Sequence, residues 1–401
     1  TVLLLGDAAA ANVRLTANPA LSTAPGGPRG WEPLHYVCHS VVGGATATRE
    51  AGLVELARRL IALGADPNTR FSWLHHGVRR PVLWGAVCVV RSLALATALL
   101  EAGADPNDGV TLPLAAGRGD LASLDLLYAH GAHVNHPWAT DGAAPLYEIL
   151  HWAKKPDGAR WMLEHGADAD PVFAPNGETP LHVVAASWGV ELAEQLVSRG
   201  ADVSRRRGDG RTPYAVAELS GNRDVAEWLV AHGAASDISD VDRLVAACSR
   251  GDRAWAQAML GESPDLRTEI SGEHYGALYR AAERNDVAAL DAMLACGFDP
   301  NRGDESIGKT ALHVAAMEGW PDAVRTLLSR GASVSARDRE FRAQPLIWAA
   351  DGFRTGREGR DHPAVGRMLL DAGSPTEWEA GPEPSEAILE IVNEWRGVAT
   401  E

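Results

Sequence analysis

The feature that most constrains this chain is a phrase that occurs nine times at near-constant spacing. It reads Leu63-Gly64-Ala65-Asp66-Pro67-Asn68, then Ala102-Gly103-Ala104-Asp105-Pro106-Asn107, then His130-Gly131-Ala132-His133-Val134-Asn135. It returns at Gly166, Gly200, Gly233, Gly297, Gly331 and Gly373. Successive glycines lie 39, 28, 35, 34, 33, 64, 34 and 42 residues apart. The 64-residue gap is two units, the missing one ending around Met259-Leu260-Gly261. A unit of this size cannot bury its own apolar face, so neighbouring units must stack into one array.

The local chemistry of each unit is equally regular. The glycine follows an apolar stretch, as in Ala193 to Val197 or Val324 to Leu328, where a left-handed residue ends a helix and an extended finger begins. Units open with Thr179-Pro180-Leu181-His182 or Thr310-Ala311-Leu312-His313, which place Thr at a helix N-cap. Small pairs such as Ala115-Ala116, Ala281-Ala282 and Ala315-Ala316 follow and let helices approach closely. On these residues the chain resembles the ankyrin-repeat family, about ten repeats covering residues 31 to 378. The resemblance implies an all-α solenoid of helix-turn-helix units with β-hairpin fingers, in one continuous domain. Residues 1–30 then read as an N-terminal capping helix and linker, and 379–401 as a C-terminal capping helix.

The totals narrow the function. With 46% hydrophobic residues the chain folds rather than staying disordered, and a net charge of −16 argues against general affinity for nucleic acid or anionic membranes. Cys38, Cys88, Cys248 and Cys296 are too scattered for a disulfide framework or a thiolate zinc site, which suits a reducing cytoplasm. The apolar run Pro81 to Leu100 is broken by Arg91 and reads as two helices rather than a membrane span. Ala-, Gly- and Arg-rich composition has a bacterial look. No GxGxxG, P-loop or GxSxG is present, and no cofactor is expected.

Function is expected where the pattern breaks. Repeat one holds an insertion at Ser40 to Gly52, repeat ten a larger one at Asp351 to His362, and repeat two a basic finger from Phe71 to Arg80. In the family register, His39 and Ser40, Gly117 and Arg118, and His151 and Trp152 face the concave groove. Nearby fingers add Trp31, His76, Arg79, Arg80, His136, Trp138 and Asp141, while Trp84 and Tyr147 replace the usual His. Exposed Trp and Arg dominate binding hot spots, so this surface of repeats one to four, which presents Trp, His and Arg together, is the expected site for a protein or peptide.

The alternative is an enzyme using His39, His151, Tyr147 and Asp141 for acid–base chemistry on a small aromatic or peptide-like substrate. No nucleophile is fixed by the sequence, and no carboxylate or Cys joins the histidines at metal-ligand spacing. His35, His182 and His313 occupy the pattern's structural slot, whereas His274 and His362 lie outside it. Arg205, Arg206, Arg207 and Arg211 form a basic finger patch read as a solvated loop.

Overall fold

This computed structural model describes residues 3, 6–40, 46–72, 79–138, 143–153, 155–355, 359–376, 386–395 and 397. Their contacts cluster into two compact units. The first is Thr1–Val184 with Trp188–Asp202 and Arg206–Asp209; the second is Ala185–Ser187 with Val203–Arg205 and Gly210–Glu401.

The fold is all-α. Helix α1 (Ala8–Ala17) precedes α2 (Pro33–Cys38) and α3 (Ala47–Ala62), then α4 (Val82–Trp84, continuing as a π-turn over Gly85–Val90) and α5 (Leu93–Glu101). Next come α6 (Thr111–Arg118), α7 (Leu121–Ala129), α8 (Pro145–Trp152), α9 (Asp157–Glu164), α10 (Pro180–Ser187) and α11 (Val190–Val197). They are followed by α12 (Pro213–Leu219), α13 (Arg223–Ala231), α14 (Asp240–Ser249), α15 (Arg253–Glu262), α16 (Tyr275–Glu283) and α17 (Val287–Cys296). The last are α18 (Ala311–Glu318), α19 (Pro321–Ser329), α20 (Pro345–Arg354), α21 (His362–Asp371) and α22 (Glu386–Trp395). Helices α2 to α21 thus alternate as ten pairs among the described residues. None is long and apolar enough to cross a membrane.

The second helix of a pair starts where a short polar side chain caps it. Thr46, Ser92, Asp120, Asp252, Asp286 and Asp361 each accept a hydrogen bond from the backbone three residues on. It stops at the recurring glycine, and all nine have φ between 84° and 109°. Pair seven departs from the expected ending. There α15 runs straight through Gly261 and is closed by Ser263 ahead of Pro264.

The fingers carry less strand than the resemblance implies. Among the described residues the only ladder joins β1 (Arg70–Ser72) to β2 (Arg79–Pro81), antiparallel, with isolated bridges at Gly26–Trp31 and Phe173–Glu178. Side chains shape the fingers instead. The carboxylates of Asp66, Asp105 and Asp299 accept from the backbone two residues later. Asn68 then joins its finger to the next: its amide donates to the Gly103 carbonyl (2.9 Å) and its oxygen accepts from Asp105 N–H (2.7 Å). Asn107, Asn135 and Asn301 repeat both bonds to the following unit.

Leucines at 34, 56, 60, 95, 99, 124 and 127 are buried between helices, each burial stabilising by roughly 1.5–3 kcal/mol. The alanine pairs are buried too, and glycine replaces alanine where helices come closest. A Cβ on Gly158 would lie 1.8 Å from the Ala116 carbonyl oxygen. At the far end, a Cβ on Gly366 would lie 2.1 Å from the Trp395 ring, so α22 rests directly on α21.

Candidate binding surface

Pairs one and two build an aromatic nest. Trp31 is half-buried, with its ring 4.5 Å from Phe71 and 5.6 Å from His39, and the Arg29 guanidinium 5.0 Å above it. His39 also meets Phe71 at 4.4 Å and Trp84 at 5.6 Å, and Arg80 covers the Trp84 ring at 5.0 Å. His39 Nδ1 lies 2.9 Å from the His35 carbonyl, which can only accept, so Nδ1 carries the proton. Burial lowers the pKa values of both His35 and His39 to about 4, leaving them neutral at pH 7.

His39 and Ser40 therefore do not face outward as the register suggests. They are 5% and 2% exposed. Helix α2 has only six residues, so His39 falls in the bend after it, and Arg49 from α3 binds the Ser40 carbonyl and hydroxyl. A Cβ on Gly85 would lie 2.5 Å from His39, which shows how tightly α4 closes over the imidazole.

Pairs four to six hold a second, polar network. Tyr147 is buried and stacked on Phe173 at 4.8 Å, and its hydroxyl donates to Glu178 Oε2 at 2.9 Å. His151 Nε2 lies 3.5 Å from the same oxygen, while Arg207 donates to Glu178 Oε1 at 3.0 Å and to Asp209 at 2.7 Å. Burial alone would raise the Glu178 pKa. The contacts with His151, Arg207 and Tyr147 outweigh it and hold the carboxyl at about 2. Burial, and then Glu178, pushes the Tyr147 phenol up, so it remains a donor.

Beside this network Trp138 and Trp152 meet edge to face at 6.5 Å, both half-buried. A Cβ on Gly117 would overlap the Trp152 ring at 1.9 Å, so glycine makes the seat for the indole. His136 and His151 are exposed nearby in sequence. Arg79 is exposed, with its guanidinium donating to the Arg70 carbonyl at 3.0 Å, and Arg118 is exposed and donates to the Cys88 carbonyl. His76 and Asp141 lie outside the described residues. The histidines named as a possible acid–base set are thus divided: His39 belongs to the aromatic nest and His151 to the Glu178 network.

Several polar residues prove to be part of the scaffold. His182 Nδ1 accepts from Thr179 N–H at 3.2 Å and His313 Nδ1 from Thr310 N–H at 3.1 Å, with His313 Nε2 also donating to the Ala343 carbonyl. His274 does the same with Ser271 N–H at 2.9 Å, so it occupies the structural slot from which the sequence had excluded it. His362 is likewise buried, with Nε2 3.0 Å from the Met317 carbonyl. The basic finger is not simply solvated either. Arg207 joins Glu178 and Asp209, and Arg211 joins Asp242 at 2.8 Å. The sequence places Glu178 among the finger residues beside the groove, directly before a Thr-Pro-Leu-His cap, but nothing in it marks Glu178 as the hub of this network. No group of three metal-binding side chains comes together among the described residues.

A family model described as ankyrin repeats matches residues 150–242 and 244–373, in three copies, over more than half of the chain. The chain belongs to the ankyrin-repeat family. Three copies are matched rather than the ten expected, and they leave the irregular first pairs outside the match. Rabankyrin-5 from Mus musculus is 26% identical over 218 residues, 49% of this chain and 19% of that protein. The B-cell lymphoma 3 protein homolog from Mus musculus is 26% identical over 227 residues, covering 53% of this chain and 43% of its own length. Potassium channel AKT2/3 from Arabidopsis thaliana is 27% identical over 249 residues, 59% of this chain and 29% of its own. The chain therefore spans less than half the length of these relatives. All three come from animals or plants, so the bacterial look of the composition finds no support.

Proposed function

We propose that all ten helix pairs are ankyrin units and that this array binds a protein or peptide through the inner helices and fingers of pairs one to four. Ankyrin membership supports an interaction scaffold: a stacked array offers a pre-ordered surface, so little ordering entropy opposes binding. The observation that carries the location is the Trp138–Trp152 pair. Of these two half-buried indoles Trp152 is seated on Gly117, and its neighbour in the chain is His151 on its Glu178–Arg207 brace. Rigid, partly desolvated Trp is the chemistry of an interface hot spot.

Peptides selected by display against the full chain test this reading. Trp152→Ala and Trp138→Ala are expected to weaken the selected peptides about tenfold or more. Trp255→Ala, at an indole 42% exposed in pair seven, is expected to leave them unchanged. Equal affinity across all three variants would overturn the location. An enzymatic reading retains one supporting observation, the exposed His151 oriented by Glu178 as a general base would be. Turnover of peptide-like substrates that survives His151→Ala would sink it.

A further inference from the structure

Arg91 and Arg118 face one pocket of about 360 Å³ between pairs two and three, which Cys88, Asp120 and Ser123 also line. This protein has 53 acidic residues against 37 Lys and Arg, and arginines such as Arg160, Arg207, Arg211, Arg250 and Arg253 are held in ion pairs. These two are different. Among the described residues Arg118 makes one side-chain bond, to the Cys88 carbonyl, and Arg91 makes none. The one carboxylate in the lining is already committed: Asp120 accepts from Ser123 N–H at 3.2 Å and Ser123 Oγ at 2.6 Å, capping α7. The Cys88 thiol is no counter-charge either, since burial pushes it up to about 12 against the opposing pull of Arg118.

The backbone supplies an independent observation. The inner helix of pair two widens into a π-turn, Gly85–Val90, and ends on Arg91 at φ 58°. Pairs three, six, seven and nine place Gly119, Gly221, Gly251 and Gly319 in that left-handed position, and pair eight places Asn285 there. Glycine adopts this conformation without cost and Arg does not, and π-turns concentrate at functional sites. The strained residue is the one that adds a second arginine to the lining of the pocket.

We propose that this pocket binds a phosphomonoester, with Arg91 and Arg118 clamping the phosphoryl oxygens. A phosphomonoester carries about −1.5 to −2 charge at pH 7, which two guanidiniums match, whereas a single carboxylate is satisfied by one. The volume is at the small end of ligand pockets, roughly 300–1,000 Å³, and suits a phosphorylated side chain or a small phosphate ester. The pocket lies at the turns between paired helices rather than at the fingers; it shares Arg118 with the docking surface proposed above, but neither Trp138 nor Trp152 lines it.

Calorimetric titration of the full chain with O-phosphoserine, inorganic phosphate, and a phosphopeptide alongside its unphosphorylated twin tests the assignment. Phosphorylated probes are expected to bind with Kd below about 1 mM, and the twin not at all. Arg91→Gln and Arg118→Gln should each weaken binding about tenfold, and Arg91→Lys much less. Arg91→Gly is the decisive variant. It should weaken binding about tenfold, as Arg91→Gln does, while raising Tm by about 1–2 °C, because it relieves the left-handed strain. If Arg118→Gln fails to fold, having lost the Cys88 contact, the Arg91 variants still decide. A phosphopeptide at least tenfold tighter than O-phosphoserine identifies a protein-borne phosphate, and equal affinities identify a free ester. No binding of any phosphorylated probe up to about 10 mM overturns the proposal, as does equal binding by the twin or by Arg91→Gln. Trp152→Ala should leave these titrations unchanged, so failure of the docking surface and failure of this pocket are told apart.

Discussion

Pair two and pair nine have inner helices of similar span, Val82–Val90 and Ala311–Glu318, and opposite ways of holding them. In pair nine, Thr310 and His313 form a reciprocal cap at the start of α18, and Gly319 turns the chain at its end. In pair two no side chain caps α4, Trp84 stands where His would be, and the helix loosens into a π-turn closed by Arg91. Pair nine is held by local bonds that any unit of the pattern can make. Pairs one to four depend on networks that occur once each: the aromatic nest around His39, the indole seat at Gly117, and the carboxylate hub at Glu178. The difference teaches where specificity is available. A unit stabilised by its own caps leaves its surface interchangeable, whereas a unit stabilised by unique side chains presents a unique surface.

The hardest test of that contrast is Glu178→Ala. It strands the Tyr147 hydroxyl and the Arg207 guanidinium, and unfolding experiments should show a loss of about 3 kcal/mol. A loss under about 1 kcal/mol would mean that the network decorates the early pairs without holding them. Next comes pH. Unfolded imidazole protonates near its ordinary 6.5, but His35 and His39 resist protonation until about 4. The unfolded chain thus binds more protons in that interval. The stability these rings contribute is complete above about pH 6.5 and declines as pH falls toward 4. A plot of Tm against pH should show this decline, and His39→Phe, which keeps a ring in the nest without titrating, should make it shallower. An unchanged slope would remove the neutral imidazole from the account. The smallest effect belongs to Gly117→Ala. Its methyl must displace Trp152, costing about 1–2 kcal/mol and altering tryptophan fluorescence. An unaltered emission spectrum would show that the indole seat is not tight.

Much of the scaffold was legible because its signals are local. The nine glycines, the Thr-x-x-His caps and the alanine pairs each act within a few residues, and each appears where its spacing puts it. Pair seven ends within a residue of where the spacing puts it, but Gly261 only imitates the closing glycine, since the helix runs to Glu262 and is capped by Ser263. His274 was misfiled because its cap begins with Ser271 rather than Thr, although the bond is the same. The site was legible only as a neighbourhood. That Glu178 would be bound by Arg207, 29 residues on, depends on how adjacent fingers lie, which no spacing encodes. Likewise His39 looked outward in the family register until a six-residue helix turned it inward.

The asparagine bonds between fingers have a consequence of another kind. Asn68, Asn107 and Asn135 each grip the next unit with both ends of one amide, so the early fingers are coupled in series like links of a chain. Strain applied at one tip is handed along rather than absorbed. A ligand that tilts one of these fingers would therefore be felt two or three units away, and the early stretch would read its partner as a single ruler rather than as separate teeth.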